Sequence, residues 1–542
     1  MKNPLNQDVS RRSFVGTAGA TAAVAGLGLV GCGSSDSDSG SSAGSSAEST
    51  TEGTTGGGTI TAGSAYAPSS IDPASTSSAV GLGANWHIFE GLYGIDYHDY
   101  STFNELATGD PEQVDEYTYT VTIRDGATFS DGTEVTAADV VNAYECVSTN
   151  DTYSPFFAPF EGLEATDDST VTITTNIANF SLLKDRLAII RVFPASQTED
   201  DRATNPIGSG PWAYSSVSDT VIELVPNEYY NGDHPAQDEM IHYDILTDAT
   251  ARITAQQEGT TLVMEMLTAD AVTTLEAAGC QIDEVQGFAT RFMMFNVAKE
   301  PWDNVLVRQA VMYALNVDQM ISNTFDGLAS AVTSYLPESF TNYHEASTVY
   351  TYDPDKAAEL IEEAGITPGD VTLLTTDNEQ VVAMSTQVKE DLDALGFNVS
   401  ITTDTSSATY AAIDQNGDYD LLLAPGDPSC FGADPDLLLN WWYGDNIWMQ
   451  TRCPWNTSDE WAELNSLMTQ ALAQEGDEQQ ETWNQCFDIL AENVPLYPVV
   501  HVNTVTASWN DPSTSPTGTA ITGFEGIGTT SMSFIDCATV TA

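Results

Sequence analysis

Side chains that commonly perform catalysis or bind metals are present in this sequence, but their spacing forms no recognised motif. HExxH and the P-loop pattern GxxxxGKS/T are absent, and no GxSxG nucleophile elbow is found, since the one GxSxG match, GSSAG at residues 40–44, lies in a run of Gly, Ser and Ala. No two cysteines form a CxxC pair, so a redox centre or zinc site has no local support. Carboxylates are so abundant that a catalytic pair, as in glycosidases, could be hidden among them. The histidines are scattered: His87, His98, His234, His242, His344 and His501.

One predicted strand contains residues suited to holding a small solute. In the run RFMMFN at residues 291–296, the alternation of a strand places Arg291, Met293 and Phe295 on one face. The guanidinium of Arg291 could bind a ligand carboxylate through two parallel hydrogen bonds. An ordinary salt bridge within the protein is the alternative role for this arginine.

Length and charge limit the classes of function. A chain of 542 residues is too long for one core, so two or three domains are expected. The 79 acidic residues against 15 basic ones give a net charge of −64. Nucleic acid is excluded as a partner because binding it requires clustered Lys and Arg. The acidity is typical of a solubilising surface, and a pocket for cationic solutes is the alternative.

The N-terminus is typical of an export and anchoring signal. Arg11 and Arg12 match a twin-arginine motif, an apolar Ala/Gly-rich stretch follows at residues 15–30, and LVGC at residues 29–32 resembles the lipobox of bacterial lipoproteins. Residues 1–31 are therefore predicted to be a signal peptide, and Cys32 to be lipidated. The mature protein is expected outside the cytoplasm, anchored to the cell membrane through Cys32.

The segment after Cys32 has the composition of a flexible tether. Residues 33–58 contain only Gly, Ser, Ala, Thr, Asp and Glu, which cannot form a core, so residues 32–58 are predicted to be the lipidated cysteine and its tether.

Six cysteines remain, and an even number in an oxidising compartment permits up to three disulfides. Cys430 and Cys453 are the first candidates for a pair.

The rest of the chain mixes short strands with amphipathic helices. Alternating β-formers at 117–123, 171–175 and 221–225 predict strands. Asp353 can cap a helix that begins at Pro354 and ends before Gly365. The sequence therefore predicts an α/β body.

Several segments occur in a fixed order along the chain. They are DP at 72–73, FSDGTEVTAADVV at 129–141, NPIGSGPW at 205–212, NEYY at 227–230 and WDNVLVRQAVMYALN at 302–316. No single segment is decisive, but the ordered set extends over nearly all of residues 59–505 and resembles the ABC-transporter solute-binding proteins of the oligopeptide, dipeptide and nickel-binding type. Within the last segment, Arg308 is expected to form a fixed ion pair rather than a ligand contact.

The resemblance implies a two-lobed clamp with an extra domain inserted in the first lobe. Closure of the lobes over a ligand by a hinge motion would present one face to an ABC permease, so the protein is expected to be a monomer without cofactor or enzymatic activity. The implied boundaries are 59–95, 205–288 and 505–542 for lobe one, 96–204 for the inserted domain, and 289–504 for lobe two.

The resemblance also implies where the ligand binds. The stretch at residues 424–436 occupies the main ligand loop of the family, and Asp434-Pro435 fits the start of the following helix. Peptide-binding relatives place a carboxylate for the ligand's ammonium where this chain has Phe431. Either Asp427 takes over that role, or the ligand has no free amino group and an apolar or planar part faces the aromatic ring. The predicted ligand-contacting residues are Tyr66, Arg291, Met293, Asp427, Phe431 and Trp441.

Two other functions and several ligands stay open at this point. An extracytoplasmic hydrolase could use hidden carboxylates, and a sensory or adhesive lipoprotein could use the same clamp without an importer. Peptides are the expected ligand because they are frequent in the family. Metal chelates, opines and sugars are alternatives that the departure at Phe431 favours.

Overall fold

The computed structural model of the protein describes residues 54–55, 57–150, 152–526, 529 and 531–542. These residues fall within one unit of the chain. The predicted signal peptide, Cys32 and the first part of the tether lie outside the described residues. Within the described ranges, each helix is too short or too polar to cross a membrane.

The strands are numbered in chain order. Most are short, but two are unusually long and pair with each other over most of their length. The strands are β1 (Thr54–Thr55), β2 (Thr59–Ser64), β3 (Tyr93–Ile95), β4 (Thr102–Asn104), β5 (Glu112–Gln113), β6 (Thr118–Thr122), β7 (Phe160–Ala165), β8 (Thr170–Thr175), β9 (Trp212–Val217), β10 (Val221–Pro226), β11 (Met240–Ile245), β12 (Val263–Met264), β13 (Gln281–Phe295), β14 (Ala329–Ala331), β15 (Asp370–Thr376), β16 (Asn398–Asp404), β17 (Leu421–Gly426), β18 (Leu496–Ser508), β19 (Thr519–Thr522) and β20 (Ala538–Thr541).

The helices are numbered in the same way, and short 3₁₀ or π turns are given by their ranges where needed. They are α1 (Ala79–Ile88), α2 (Ala137–Ser148), α3 (Leu183–Ala188), α4 (Glu199–Thr204), α5 (Ala249–Glu258), α6 (Ala269–Ala278), α7 (Val305–Ala314), α8 (Val317–Met320), α9 (Pro354–Ala364), α10 (Glu379–Ala394), α11 (Ser406–Asn416), α12 (Pro435–Tyr443), α13 (Asp459–Ala471) and α14 (Gly476–Asn493).

One sheet of eleven strands runs through the described part of the chain. Its order is β16-β15-β17-β13-β18-β12-β2-β11-β10-β9, with β14 added on β18. We call β12-β2-β11-β10-β9 the first half-sheet and β16-β15-β17 the second half-sheet. The antiparallel pair β13 and β18 joins them, because one end of the pair bonds to β12 and the other bonds to β17.

The pairing of β13 with β18 is interrupted in the middle. Residues 281–286 pair with 503–508, and residues 290–294 pair with 496–501, with register shifts after Gln286 and after Arg291. Such irregularities bend a strand and re-aim its side chains. The sheet therefore changes direction where the chain passes from the first to the second half-sheet.

A separate four-stranded sheet, in the order β5-β6-β8-β7, lies in the segment 96–204 and packs against α2. Helix α2 begins with a capping box in which the Asp139 carboxylate accepts from the Thr136 backbone N–H at 2.9 Å. The alternating burial of β8 places Val171 and Ile173 in the core, as their spacing predicts.

Local rules explain α9 well. The Asp353 carboxylate accepts from Lys356 N at 2.9 Å, Pro354 occupies the first turn, and Gly365 adopts a left-handed φ of 70°. The buried stripe contains Leu360 and Ile361. The predicted start and end of this helix are confirmed.

Two expectations about cysteine and arginine partners are wrong. All six cysteines of the described residues are free thiols, and Cys430 and Cys453 contact different backbone carbonyls, those of Asp427 and Pro495. Arg308 forms no ion pair with a described residue. Its guanidinium instead donates to backbone oxygens of three residues, because helix ends and turns surround it: Asn493, Trp302 and Asp303.

A buried histidine ties α1 to the C-terminal segment. His87 Nδ1 lies 2.8 Å from Gly83 O, and its Nε2 accepts from Phe534 N at 2.8 Å. Burial lowers the pKa of His87 to about 4. Protonation at Nε2 would place a second N–H against the Phe534 N–H, so the folded protein keeps this ring neutral.

We therefore expect His87 to make folding sensitive to acid. The unfolded chain takes up a proton near pH 6.5 that the folded chain excludes, so stability falls between pH 6.5 and 4. Between pH 7 and 4.5 the wild type should lose about 2–3 kcal/mol more than His87→Asn in urea unfolding. The exposed His98→Asn serves as control and should behave as wild type; equal losses in all three proteins would contradict the assignment.

Candidate functional site

A cavity of about 530 Å³ opens beside the interrupted part of the β13–β18 pair. Its volume is typical of sites for small ligands. Strands β13, β17 and β18 provide one side through Arg291, Gly426 and Asn503, while α1 provides Ala79 and Leu82. The break in strand pairing leaves room for a ligand between the two half-sheets.

Five of the six predicted ligand-contacting residues line this cavity: Tyr66, Arg291, Asp427, Phe431 and Trp441. Met293 is fully buried and lies outside the lining. The prediction for Met293 relied on the alternation of β13, but every residue at 287–295 is buried, so alternation alone does not decide which of them faces the cavity. The ligand contacts of the other five stay predictions, although the structure does bring these residues together.

Arg291 is the buried cation of the cavity wall, with 5% of its surface exposed. Its Nη1 donates to Thr290 O at 2.9 Å, and its Nη2 donates to Gln380 Oε1. Its Nε has no hydrogen-bond partner among the described residues. Burial lowers the pKa of Arg291 to about 10, against the opposing effects of Tyr66 and Asp427. The guanidinium stays charged at neutral pH.

Asp427 is the acidic side chain among the described residues of the lining. It stands at the end of β17, where its Oδ1 accepts from Ser429 Oγ at 2.6 Å and caps the turn Pro428–Phe431. The preceding Gly426 is required by space, since an added Cβ would lie 2.4 Å from Trp442 Cζ2. The pairing of β13 with β17, in which Thr290 faces Gly426 and Arg291 faces Pro425, sets the position of Asp427 relative to Arg291.

An aromatic cluster forms another wall. The ring of Phe431 lies 5.2 Å from Tyr153 and 5.4 Å from Trp441, and Trp441 stacks on Phe156 at 6.1 Å between centroids. Phe431 is 5% exposed. It therefore offers a ring edge or face to the cavity and cannot hold an ammonium group as a carboxylate would.

A second aromatic group lies on the turn Trp448–Arg452. The Arg452 guanidinium lies 4.6 Å from the centroids of both Tyr410 and Trp448, and it bonds the Asp414 carboxylate at 2.9 and 3.0 Å. Ion pairing and cation–π contacts hold this wall in place. The sequence analysis missed these residues, which come together from separate segments, and the only available signal was the density of aromatics near residue 448.

The side of the cavity formed by the first half-sheet contains Tyr66 and Met266. Met266 adopts a left-handed φ of 54°, and its carbonyl accepts from Arg252 Nη2 at 3.2 Å. The adjacent Glu265 is buried and accepts from Ser64 Oγ at 2.7 Å, and burial raises its pKa to about 7. Buried hydrogen bonds thus support Met266 in a left-handed backbone conformation that most residues other than glycine avoid.

Contacts hold the segment 96–204 against the stretch at residues 424–436. Tyr97 donates to Cys430 O, and Tyr100 donates to Ser429 Oγ, both at 3.0 Å. Further along, Arg186 on α3 binds Asp434 at 2.5 and 2.8 Å and Asp436 at 2.7 Å. Asp434 is also the N-cap of α12, as its sequence predicts. These contacts therefore join the segment 96–204 to the stretch that contributes Cys430 and Phe431 to the cavity wall.

The fold and the cavity define a two-lobed α/β solute-binding protein. The model of the middle region of the bacterial extracellular solute-binding proteins, family 5, matches residues 103–450. This match covers well over half of the chain, so the protein belongs to that family. The predicted fold class and the prediction of a solute-binding protein are confirmed.

Individual relatives agree with this assignment. The glutathione-binding protein GsiB of Pectobacterium atrosepticum is 28% identical over 375 residues, which cover 66% of this chain and 71% of that protein. Helicobacter pylori DppA in complex with the peptide STSA aligns with a TM-score of 0.76 at 20% identity, covering 89% of this chain and 97% of that one. AgaA of A. tumefaciens in complex with agropinic acid gives 0.75 at 23%, covering 86% and 95%. These relatives are binding proteins and give no support to a hydrolase or a sensor.

We expect Arg186 to be critical for holding α3 against the start of α12. In Arg186→Met the carboxylates of Asp434 and Asp436 would stay buried without their cation, which should lower the free energy of unfolding by about 3–5 kcal/mol. Urea unfolding measures this. The neighbouring Lys184→Ala is the matched control, because its partner Asp110 is largely exposed, and it should cost about 1 kcal/mol or less. Equal effects would contradict the role of Arg186.

Proposed function

We propose that this protein captures a short peptide or a peptide-like carboxylate between its lobes and delivers it to an ABC importer. The observation on which the proposal depends is Arg291, a buried cation on the cavity wall with no ion-pair partner among the described residues. The ligands of three relatives, glutathione, the peptide STSA and agropinic acid, all contain carboxylates.

The charges of the cavity fit a zwitterion. Arg291 can take a carboxylate, and Asp427, on the adjacent strand end, can take an ammonium group in place of the carboxylate that relatives have at the position of Phe431. The aromatic walls around Trp441 and Trp448 suit an apolar or planar side chain. A peptide meets all three conditions, whereas a neutral sugar has no charged groups to pair with Arg291 and Asp427.

Hinge closure is the proposed mechanism of delivery. The two half-sheets are connected through β13 and β18, and we assign lobe one to 59–95, 205–288 and 505–542, the inserted domain to 96–204 and lobe two to 289–504. A ligand that contacts both lobes favours the closed form. No chemical step is needed from the protein, so we assign it no enzymatic activity.

The anchor is part of the proposal. The sequence signals support export by the twin-arginine route, acylation of Cys32 and a tether up to residue 58, which would hold a monomeric binding protein near its permease. Acyl chains provide the attachment because a negative membrane surface repels a chain with net charge −64.

Thermal unfolding with candidate ligands tests the peptide proposal. A peptide at about 100 times its Kd should stabilise the Cys32→Ser protein by about 2.7 kcal/mol, a readily measured rise in Tm. Arg291→Gln should weaken binding about tenfold or more through loss of a charged hydrogen-bond donor. Lys184→Gln is the comparison and should bind as the parent does, because it removes a positive charge outside the cavity lining. If peptides leave Tm unchanged while opines, metal chelates or sugars raise it, the peptide assignment is wrong.

Metabolic labelling tests the anchor separately. Cells producing the full chain and fed a labelled fatty acid should yield a labelled protein in the membrane fraction, and Cys32→Ser should abolish both the label and the membrane association. Cys146→Ser provides the matched control and should keep both. Label that persists in Cys32→Ser would contradict acylation at this residue.

A further inference from the structure

Arg291 differs from the other two arginines of the described residues that have no carboxylate partner. Arg252 and Arg308 each donate to the carbonyl groups of three residues. Arg291 donates to one carbonyl, that of Thr290, and to the side-chain oxygen of Gln380. Because Nη1 is held by Thr290, the edge formed by Nε and Nη2 is the one available for a second partner. On that edge Nη2 contacts a neutral amide and Nε has no described partner.

Gln380 lies between two cavities. It is the second residue of α10, whose N-cap Asn378 lines the main cavity together with Arg291. Gln380 itself lines a smaller cavity of about 210 Å³, and Asn503 lines both cavities. The hydrogen bond between Arg291 and Gln380 thus stands where the two cavities meet.

We propose that the Gln380 amide oxygen occupies the position of a ligand carboxylate on Arg291, and that binding displaces it towards the smaller cavity. This inference rests on the proposed peptide function and specifies how the ligand's carboxyl end is recognised. The exchange replaces a neutral acceptor with a charged one. A carboxylate has two oxygens and can bond both Nε and Nη2, whereas the single amide oxygen bonds one of them.

The surroundings favour this direction of exchange. The smaller cavity is lined by apolar and neutral polar side chains such as Phe325, Leu328 and Thr324, and by the carboxylate-bearing Glu379. The neutral amide of Gln380 can move into the smaller cavity without the cost of desolvating a charge. Its N–H group can donate to an oxygen there. A ligand carboxylate is repelled by Glu379 and stops at Arg291. Gln380 would therefore act as a specificity-determining residue that admits a free carboxyl end.

The experiment compares two ligand pools on three variants. The pools are mixed-sequence di- to pentapeptides, one with free C-terminal carboxylates and one with C-terminal amides, and binding is measured by thermal shift and titration calorimetry on the Cys32→Ser protein. With Gln380 intact, the free acids should bind about tenfold or more tightly than the amides, as expected for a charged hydrogen-bonded pair. Gln380→Ala should bind the free acids at least as tightly, because the internal competitor is gone.

Gln380→Glu is the decisive variant. It places a permanent carboxylate on Arg291 and should weaken binding of the free acids about tenfold or more, while changing the affinity of the amides less. Gln485→Glu adds the same charge on an exposed site of α14 and should bind both pools as the parent does. Cooperative melting shows that each variant is folded.

The outcomes separate this inference from the proposed function. If both pools bind equally, or if Gln380→Glu binds the free acids as the parent does, the role of Gln380 is wrong although the peptide function stands. If neither pool raises Tm, the peptide function fails, and the inference fails with it.

Discussion

The structure depends on the antiparallel pairing of β13 with β18, because this pair alone connects the two half-sheets within the described chain. Paired strands resist stretching but can bend and twist, so two lobes joined in this way can rotate while their internal hydrogen bonds persist. The interruption between residues 286 and 290 matters as much as the pairing. It lies beside the cavity that has Arg291 in its wall, so the connection between the half-sheets and the cavity occur at one irregularity.

The distribution of arginines follows from the scarcity of positive charge. With 79 acidic and 15 basic residues, almost any buried arginine can find a carboxylate. Most of the described arginines do so, and these pairs join segments that are well separated in the sequence. A guanidinium that is buried on the cavity wall without an ion-pair partner among the described residues is therefore informative in this protein. The paired arginines are Arg124 with Glu90, Arg186 with Asp434 and Asp436, Arg191 with Glu105, Arg202 with Asp72, and Arg452 with Asp414.

Local patterns in the sequence were sufficient for part of this structure. The cap at Asp353, the alternation of β8 and the placement of Arg291 and Asp427 beside one cavity depend on short-range rules or on the order of family-like segments. Contacts between distant segments were not predictable in this way. Arg186 meets Asp434 across 248 positions of the chain, and Met293 is buried because the part of β13 that contains it is covered on both faces. The prediction of a disulfide between Cys430 and Cys453 was wrong because an even number of cysteines says nothing about their separation in space.

A strongly acidic protein can still select an anionic group, because the potential inside a cavity is set by the nearest charges. Solvent and salt screen the surface carboxylates over a Debye length of about 8–10 Å, whereas Arg291 lies in a desolvated wall where its field is weakly screened. The net charge of −64 then slows the approach of anionic ligands, but it does not remove their attraction to Arg291 in the cavity. Gln380 fits this arrangement, since a neutral acceptor satisfies part of the guanidinium without cancelling its charge. Had α10 placed a carboxylate there, as most of the other arginines have, the cavity would have no charge left with which to recognise an acid.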